Sequence, residues 1–208
     1  MSPALALEDL AVERGGRRLL HGLNLTLMPG QAAVLTGPNG AGKTSLLRTI
    51  AGLQRPAAGR VRCQPDAIAY AGHADGVKSA LTVSENLRFW AAVFGGDQIA
   101  PALAAMDLSA LGDRLAGRLS AGQRRRLGLA RLAVTGRPVW VLDEPTVSLD
   151  SRSADLFRAM LAAHLAGGGA AIIATHLDLG IEALRLELSE FAAPRDAAPL
   201  SGFDAAFA

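Results

Sequence analysis

The residues with the most specific chemistry form a glycine-rich segment that begins at Gly37. The segment, termed the phosphate loop, fits the spacing G-x-x-x-x-G-K-[ST] and comprises Gly37, Pro38, Asn39, Gly40, Ala41, Gly42, Lys43 and Thr44, with Ser45 directly after it. Glycines let successive backbone N–H groups converge on one anion without a Cβ in the way. Lys43 supplies a positive charge beside the outer phosphates of a nucleotide, and the Thr44 hydroxyl is a ligand for Mg²⁺. The segment therefore predicts a site for ATP.

Two carboxylates follow an apolar run further along the chain. Asp143 and Glu144 come directly after residues 139–142, Val-Trp-Val-Leu. A strand that is apolar at every position is buried on both faces, and it delivers the next residues to the sheet edge where ligands bind. We expect Asp143 to hold Mg²⁺, directly or through water, and Glu144 to orient or deprotonate the attacking water. Alone, such a pair is more often a solvated strand end, but the phosphate loop favours the catalytic interpretation.

The elements that must position these residues alternate between strands and helices. Strands are predicted over 4–13 and 18–28, separated by a turn at Gly15-Gly16. Further strands are predicted over 31–36, 139–142 and 170–174, with two short ones within 60–70. Helices are predicted over 43–51, 82–94, 122–134 and 151–165, with irregular helix over 100–118. Thr82 and Glu85 have the spacing of a capping box at one helix start. This alternation predicts an α/β fold with a mainly parallel sheet flanked by helices.

Length and composition predict one domain that is soluble or peripheral to a membrane. The chain has 208 residues, half of them apolar, and a formal net charge of +2. We expect the domain over 1–190, a helical subdomain over about 76–136, and a loosely packed tail over 191–208. The single cysteine, Cys63, fits a reducing compartment. Because no apolar run approaches the roughly 18 residues that span a bilayer, any membrane crossing must come from another chain.

Three consecutive arginines, Arg124 to Arg126, leave two interpretations open. They could form a nucleic-acid patch or a solvated helix face with an occasional intersubunit contact. We favour the solvated face, because three consecutive helical residues point in three directions and the net charge is small. No nucleic-acid partner is therefore expected.

One further segment separates families that share a phosphate loop. Residues 119–123, Leu-Ser-Ala-Gly-Gln, resemble the LSGGQ signature of ABC (ATP-binding cassette) ATPases, with Ala121 in place of the first glycine. Residues 148–150, Ser-Leu-Asp, resemble the D-loop of that family, and Thr175-His176 resembles its switch-histidine segment. The resemblance covers roughly residues 4–188.

This resemblance implies roles that spacing alone does not. The fold would be a P-loop NTPase core of ABC type with a β-subdomain and a small helical subdomain. His176 would contact the γ-phosphate as a catalytic residue, and Asp150 would belong to the D-loop. The signature, which comprises Ser120, Ala121, Gly122 and Gln123, would face the ATP bound by a second subunit. The implied assembly is a head-to-tail homodimer bound to an integral membrane permease subunit.

Two departures from the family pattern are informative. Arg14 stands near the position where relatives place an aromatic side chain against adenine, and a guanidinium can also stack on a base. His73 stands where relatives place the Q-loop glutamine. The segment between Gly59 and Ile68 is short, which implies a trimmed β-subdomain.

These departures resemble the ATPase subunits of the haem exporter used in cytochrome c maturation. The matching features are Gly72-His73, Lys78, residues 81–89 (Leu-Thr-Val-Ser-Glu-Asn-Leu-Arg-Phe), the arginines after the signature, and Trp140. The resemblance implies a peripheral subunit on the cytoplasmic side of a bacterial inner membrane. Its further partners would be other haem-handling cytochrome c maturation subunits. The alternative is the ATPase subunit of another ABC transporter with a different substrate.

Overall fold

Two β-sheets and a layer of helices make up residues 2–194, the part of the chain that the computed structural model describes. The strands are β1 (Leu5–Arg14), β2 (Arg17–Leu27), β3 (Ala32–Thr36), β4 (Ala58–Arg62), β5 (Ile68–Ala71), β6 (Val139–Asp143), β7 (Ala170–Ala174) and β8 (Leu184–Glu187). The helices are α1 (Lys43–Ile50), α2 (Val83–Phe94), α3 (Ile99–Ala105), α4 (Ala121–Val134) and α5 (Ser151–Ala166). Short 3-10 turns lie at Ser109–Leu111, Ala116–Arg118 and Leu188–Phe191.

The larger sheet is parallel and has the order β5-β6-β7-β3-β8. Strands β6 and β7 are buried at every position, as their uninterrupted apolar runs predict. Helices α1, α4 and α5 all contact its strands. The predicted α/β architecture with a mainly parallel sheet flanked by helices is confirmed. The edge strand β8 escaped prediction, because two of its four residues are exposed and it has no apolar run.

The smaller sheet is antiparallel, with the order β2-β1-β4. Strands β1 and β2 form the predicted hairpin, and its turn residues Gly15 and Gly16 have φ values of 56° and 71°. Two adjacent residues with positive φ give the tight turn that suits the twist of paired strands. Leucines of this hairpin pack with α1 and with the parallel sheet in one core cluster. The hairpin therefore lies beside the segment that follows β3.

Helices α2, α3 and α4 pack on one another and form the helical layer. Helix α2 begins with the predicted capping box, in which the N–H of Glu85 donates to Thr82 Oγ1 at 3.1 Å and the N–H of Thr82 donates to Glu85 Oε2 at 2.7 Å. Helix α2 ends at Gly95, with φ 77°. The predicted irregular helix over 100–118 divides into α3 and two 3-10 turns.

The arginine run on α4 corrects the sequence interpretation. The solvated helix face is wrong for Arg125, whose side chain is 7% exposed, and for Arg126, whose side chain is 14% exposed. Arg126 donates to the carbonyl oxygens of Met106 and Asp107 within the helical layer. A guanidinium can be buried in this way when backbone carbonyls and a carboxylate accept its hydrogen bonds.

Two other predictions concern the ends and the surface of the chain. Of the predicted tail over 191–208, residues 195–208 lie outside the described residues, whereas Ala192 forms a bridge with Leu20 of β2. Within residues 2–194, no helix combines the length and the apolar character needed to cross a bilayer.

A half-buried histidine, His164, links α5 to the centre of the sheet. The His164 ring stacks on Trp140 of β6 with centroids 3.8 Å apart, and its Nε2 lies 3.3 Å from the carbonyl oxygen of Ala170. Burial lowers the pKa of His164 below its ordinary 6.5, because the imidazolium would lose its hydration. At pH values between the pKa of His164 in the folded chain and its pKa in the unfolded chain, the unfolded chain therefore binds a proton that the folded chain does not.

We expect the free energy of unfolding to fall as the pH drops below about 6.5, since the His164 contribution is complete above the unfolded pKa and is lost towards the folded one. His164→Phe keeps a stacking ring without the titration and should weaken this dependence. The measurement is urea unfolding, followed by circular dichroism, at pH 7.5 and at about 5.5. The exposed His21→Gln is the control. Identical pH dependence in wild type and His164→Phe contradicts the prediction.

Candidate functional site

The phosphate loop connects β3 to α1 and has the backbone of an anion cradle. Gly37, Gly40 and Gly42 have φ values of 136°, 82° and 99°, which L side chains rarely adopt. Helix α1 begins at Lys43, so its positive dipole end faces the concave side of the loop. The Lys43 ammonium is folded across the loop and donates to the carbonyl oxygens of Gly37 (2.6 Å) and Pro38 (3.2 Å). The loop thus combines N–H groups, a helix end and one cation.

Residues from five different segments line one cleft at this loop, termed the phosphate cleft. They are Arg14, Leu19, Asn39, Gly40, Gly42, Lys43, Thr44, Ser45, His73, Asp143 and Glu144. The sequence-predicted loop, acidic pair and Q-loop equivalent are therefore brought together. Arg14 reaches the cleft from the end of β1.

A carboxylate that the sequence analysis missed supports the phosphate loop from behind. Glu187, at the end of β8, accepts a hydrogen bond from Ser189 Oγ at 2.8 Å and another from Thr36 Oγ1 at 2.8 Å. The hydrogen bonds from Ser189 and from Thr36 lower the pKa of Glu187, and the nearby positive charge of Lys43 acts in the same direction. Because Thr36 directly precedes Gly37, Glu187 anchors the start of the loop. Its only local sequence signal is a serine two residues later.

Asp143 is the last residue of β6 and has an unsatisfied oxygen. Its side chain is 2% exposed, and its Oδ2 has no hydrogen-bond partner among residues 2–194. The Nε2 atom of His73 lies 3.5 Å from Oδ2, too far for a good hydrogen bond. A buried carboxylate oxygen left without a donor fits a hard cation, which prefers oxygen ligands. Thr44 offers a hydroxyl in the same cleft.

Glu144 is held in a strained backbone conformation next to His176. Its φ of 48° is unusual for a residue with a side chain and costs about 1–3 kcal/mol. Its N–H donates to the carbonyl oxygen of Ala174 at 2.9 Å, which ties the end of β6 to the end of β7. The Glu144 Oε1 and His176 Nε2 atoms are 3.5 Å apart. The predicted catalytic pair is therefore adjacent, with the Glu144 side chain 17% exposed and that of His176 59% exposed.

The signature residues lie at the start of α4 and not in the phosphate cleft. Ser120 caps the helix: its Oγ accepts from the N–H of Gln123 at 3.2 Å, and its N–H donates to Gln123 Oε1 at 3.0 Å. Ala121 lines a second hollow, together with Val147 and Ser148. The N-terminal end of α4, which attracts anions, thus opens onto a hollow that adjoins the phosphate cleft at His73, a residue that lines both.

Asp150 of the expected D-loop caps the next helix. Its Oδ1 accepts a hydrogen bond from the N–H of Ser153 at 2.8 Å at the start of α5, and the hydrogen bonds from Ser153 lower the pKa of Asp150. Ser148, two residues earlier, has φ 67°. A strained residue beside a helix cap is typical of a segment with a functional conformation.

Comparisons with known proteins agree with this arrangement. A family model described as ABC transporter matches residues 20–147. The cytochrome c biogenesis ATP-binding export protein CcmA of Paracoccus denitrificans is 62% identical over 207 residues, which cover 98% of each chain. The protein of the same name from Roseobacter denitrificans is 64% identical over 177 residues, covering 85% of this chain and 86% of that one.

A solved structure supports the fold independently of the sequence. An ABC transporter ATP-binding protein from Pyrococcus furiosus superposes with a TM-score of 0.81 at 26% sequence identity. The superposition covers 91% of this chain and 99% of the other chain. The fold described above is therefore shared with a protein that is identical at only 26% of the aligned positions.

The close contact behind the phosphate loop predicts the effect of Gly37→Ala. The added Cβ would lie 3.1 Å from Glu187 Oε1 at a φ of 136°, so we expect ATP binding to weaken about tenfold or more. Gly168→Ala is the control, because it has a φ of 86° and its Cβ would meet nothing within 4 Å. Isothermal titration with ATP measures both variants. Equal affinities for Gly37→Ala and wild type would contradict the role given to Gly37.

Proposed function

Since the chain belongs to the ABC transporter family, in the group of the cytochrome c biogenesis ATP-binding export proteins, we propose that it powers haem export or haem-chaperone release. It is an ATP-hydrolysing subunit, and its proposed place is the cytoplasmic side of a bacterial inner membrane. The observation that carries the proposal is 62% identity to one such protein along 98% of both chains. His73 at the Q-loop position and Trp140 in β6 support the same assignment.

ATP binds at the phosphate loop in this proposal. Backbone N–H groups of the loop and the N-terminus of α1 hold the phosphates, and Ser45, at the buried start of α1, supports the same segment. Lys43 exchanges its contacts with two loop carbonyl oxygens for contacts with phosphate oxygens, so that the acceptor is charged as well as the donor. Arg14 provides a guanidinium plane for the base.

Hydrolysis depends on the pair at the ends of β6 and β7. Glu144 orients a water molecule for attack in line with the bond to the leaving group and accepts a proton from it. His176, beside Glu144, donates a hydrogen bond to an oxygen of the γ-phosphate, where charge is held in the transition state. The bond between the Glu144 N–H and Ala174 keeps the two side chains on adjacent strand ends.

Thr44 and Asp143 would hold Mg²⁺ in this site. The unsatisfied Oδ2 of Asp143 and the Thr44 hydroxyl are the available oxygen donors, either directly or through water. The ion, when bound, neutralises charge on the β- and γ-phosphates. The Nε2 atom of His73 lies 3.5 Å from Asp143 Oδ2, so the residue in the Q-loop position lies beside the proposed ion site.

A second copy of the chain completes the site. The signature is exposed at Ser120 and lies outside the phosphate cleft of its own chain. In a head-to-tail homodimer, the N-terminus of α4, with Ser120, Ala121, Gly122 and Gln123, faces the γ-phosphate bound to the partner. Two ATP molecules would then lie between the subunits, and Asp150 would lie close to the shared surface.

The remaining proposed partners are an integral membrane permease subunit and other haem-handling subunits of cytochrome c maturation. Exposed Phe89 and Val93 on α2 offer apolar surface to such a subunit. Nucleic acid is not a proposed partner, and the burial of Arg125 and Arg126 supports this by removing two of three cations from the surface.

Glu144→Gln should lower ATP turnover by about a hundredfold or more, because it removes the proton acceptor while preserving shape. ATP binding should persist, and ATP-bound dimer should accumulate in size-exclusion chromatography. Lys43→Ala should lose ATP binding itself. Glu182→Gln, at an exposed position, is the matched control for Glu144→Gln. Near-normal turnover by Glu144→Gln would refute the assigned role.

The biological role has its own test. Deleting the gene should abolish covalent attachment of haem to c-type cytochromes, measured by haem staining of gels. The wild-type gene should restore the staining, whereas Glu144→Gln should not. A deletion strain with normal cytochromes c and a defect in another transport process would favour the alternative, an ABC transporter with a different substrate.

A further inference from the structure

Arg125 forms four hydrogen bonds to two loops at the phosphate cleft. Its Nε donates to the carbonyl oxygen of Pro145 (3.2 Å), and one terminal nitrogen donates to that of Glu144 (2.7 Å). The other terminal nitrogen donates to the carbonyl oxygen of Gly72 (3.1 Å) and to Asp75 Oδ1 (3.0 Å). Four of the five N–H groups of the guanidinium are therefore used.

These acceptors flank two residues of the proposed mechanism. Gly72 and Asp75 lie on either side of His73 in the loop after β5, and Glu144 and Pro145 follow β6. Arg125 lies on α4, a helix of the helical layer that begins at the signature. One side chain thus joins the signature helix to the His73 loop and to the segment of Glu144.

The packing around this contact is close. A Cβ at Gly128 of α4 would lie 2.9 Å from the Cβ and the carbonyl oxygen of Asp75, so glycine is needed for the loop to approach the helix. The planar fork of the guanidinium matches the fixed positions of its acceptors better than a single ammonium could. The arrangement is therefore rigid.

The strained Glu144 residue gives this contact a consequence for catalysis. A positive φ in a residue with a side chain persists only where the surroundings over-determine it. The N–H of Glu144 is held by Ala174, and its carbonyl oxygen is held by Arg125 and, at 3.3 Å, by the N–H of Val147. Of these, the Arg125 bond is the shortest, and its donor is charged.

We propose that Arg125 is a positioning residue, which holds the strained Glu144 peptide and the His73 loop in fixed relation to each other. The proposal rests on the proposed catalytic role of Glu144. The side chain of Arg125 takes no part in the reaction itself. Its loss would let Glu144 relax and misplace the attacking water without altering the phosphate loop.

The adjacent Arg126 provides a matched control. It lies on the same helix, is also mostly buried, and also donates to two carbonyl oxygens, those of Met106 and Asp107. Its acceptors belong to the helical layer alone. Arg126→Gln therefore removes hydrogen bonds within the helical layer, whereas Arg125→Gln removes comparable hydrogen bonds to the loops at the phosphate cleft.

The test is steady-state ATP hydrolysis by the purified full chain, together with ATP affinity and thermal midpoint. We expect Arg125→Gln to lower kcat about tenfold or more, since small misplacements of reacting groups have such effects. The KM for ATP should change less than about threefold, because the phosphate loop is intact. Arg125→Gln and Arg126→Gln should lower the thermal midpoint by similar amounts. Only Arg126→Gln should keep kcat near the wild-type value.

Two more variants make the outcome decisive. Arg125→Lys keeps the charge and most of the stem, so it should fold even where Arg125→Gln does not, and its kcat should still fall. Asp75→Asn weakens only the link to the His73 loop, and combining it with Arg125→Gln should be no worse than Arg125→Gln alone. Wild-type kcat in Arg125→Lys, or an equal loss of kcat in Arg126→Gln, overturns the inference.

A parallel assay of Glu144→Gln separates the two proposals. If Glu144→Gln is inactive and the folded Arg125 variants are fully active, only the positioning role fails. If Glu144→Gln retains turnover, the catalytic role of Glu144 fails, and the positioning role fails with it.

Discussion

The register of the parallel sheet is the constraint on which the site depends. Leu35 of β3 and Asp143 of β6 both pair with Ala174 of β7, and Ala71 of β5 pairs with Leu142. The four strands therefore end at one level, and the segments after them converge on one cleft. Close packing of β6 and β7 on both faces keeps this register, since a slip by one residue would exchange every side chain between the two faces of the sheet and disturb the packing on each.

Polar contacts then fix the positions of the loops that the sheet brings to one edge. Glu187 anchors the start of the phosphate loop through Thr36, and Arg125 holds the segments that carry His73 and Glu144. Burying a guanidinium is costly unless its partners are well placed. The Arg125 contact therefore adds little to the free energy of unfolding, and its role in positioning the loops at the cleft explains it better. The backbone strain at Glu144 and Ser148 lies in the same region, where function and stability compete.

The cleft of one chain offers a phosphate cradle, carboxylates and a histidine, but the signature lies outside that cleft. This division makes physical sense for a motor. If the N-terminus of α4 meets the nucleotide only across an interface, binding of ATP favours association, and hydrolysis removes that bias. The helical layer carries both the signature and the arginine that contacts the His73 loop, so it is suited to relay such a change.

The sequence by itself determined the features that depend on neighbours along the chain. The phosphate loop, the Thr82 capping box, the Gly15-Gly16 hairpin and the apolar strands β6 and β7 all follow from patterns of a few residues, because their hydrogen bonds and burial are local or periodic. The candidate catalytic and signature residues follow from motif spacing and from resemblance to a family.

Only the tertiary structure decided how distant segments meet. The burial of Arg125 depends on acceptors at Gly72 and Glu144, and the anchor at Glu187 depends on Thr36, 151 residues away. Neither contact leaves a periodic or local pattern, so the sequence alone favours a solvated Arg125 and gives little signal for the anchor at Glu187. A charged side chain is buried only where the fold supplies its partners, and those partners are set by the packing of the whole chain.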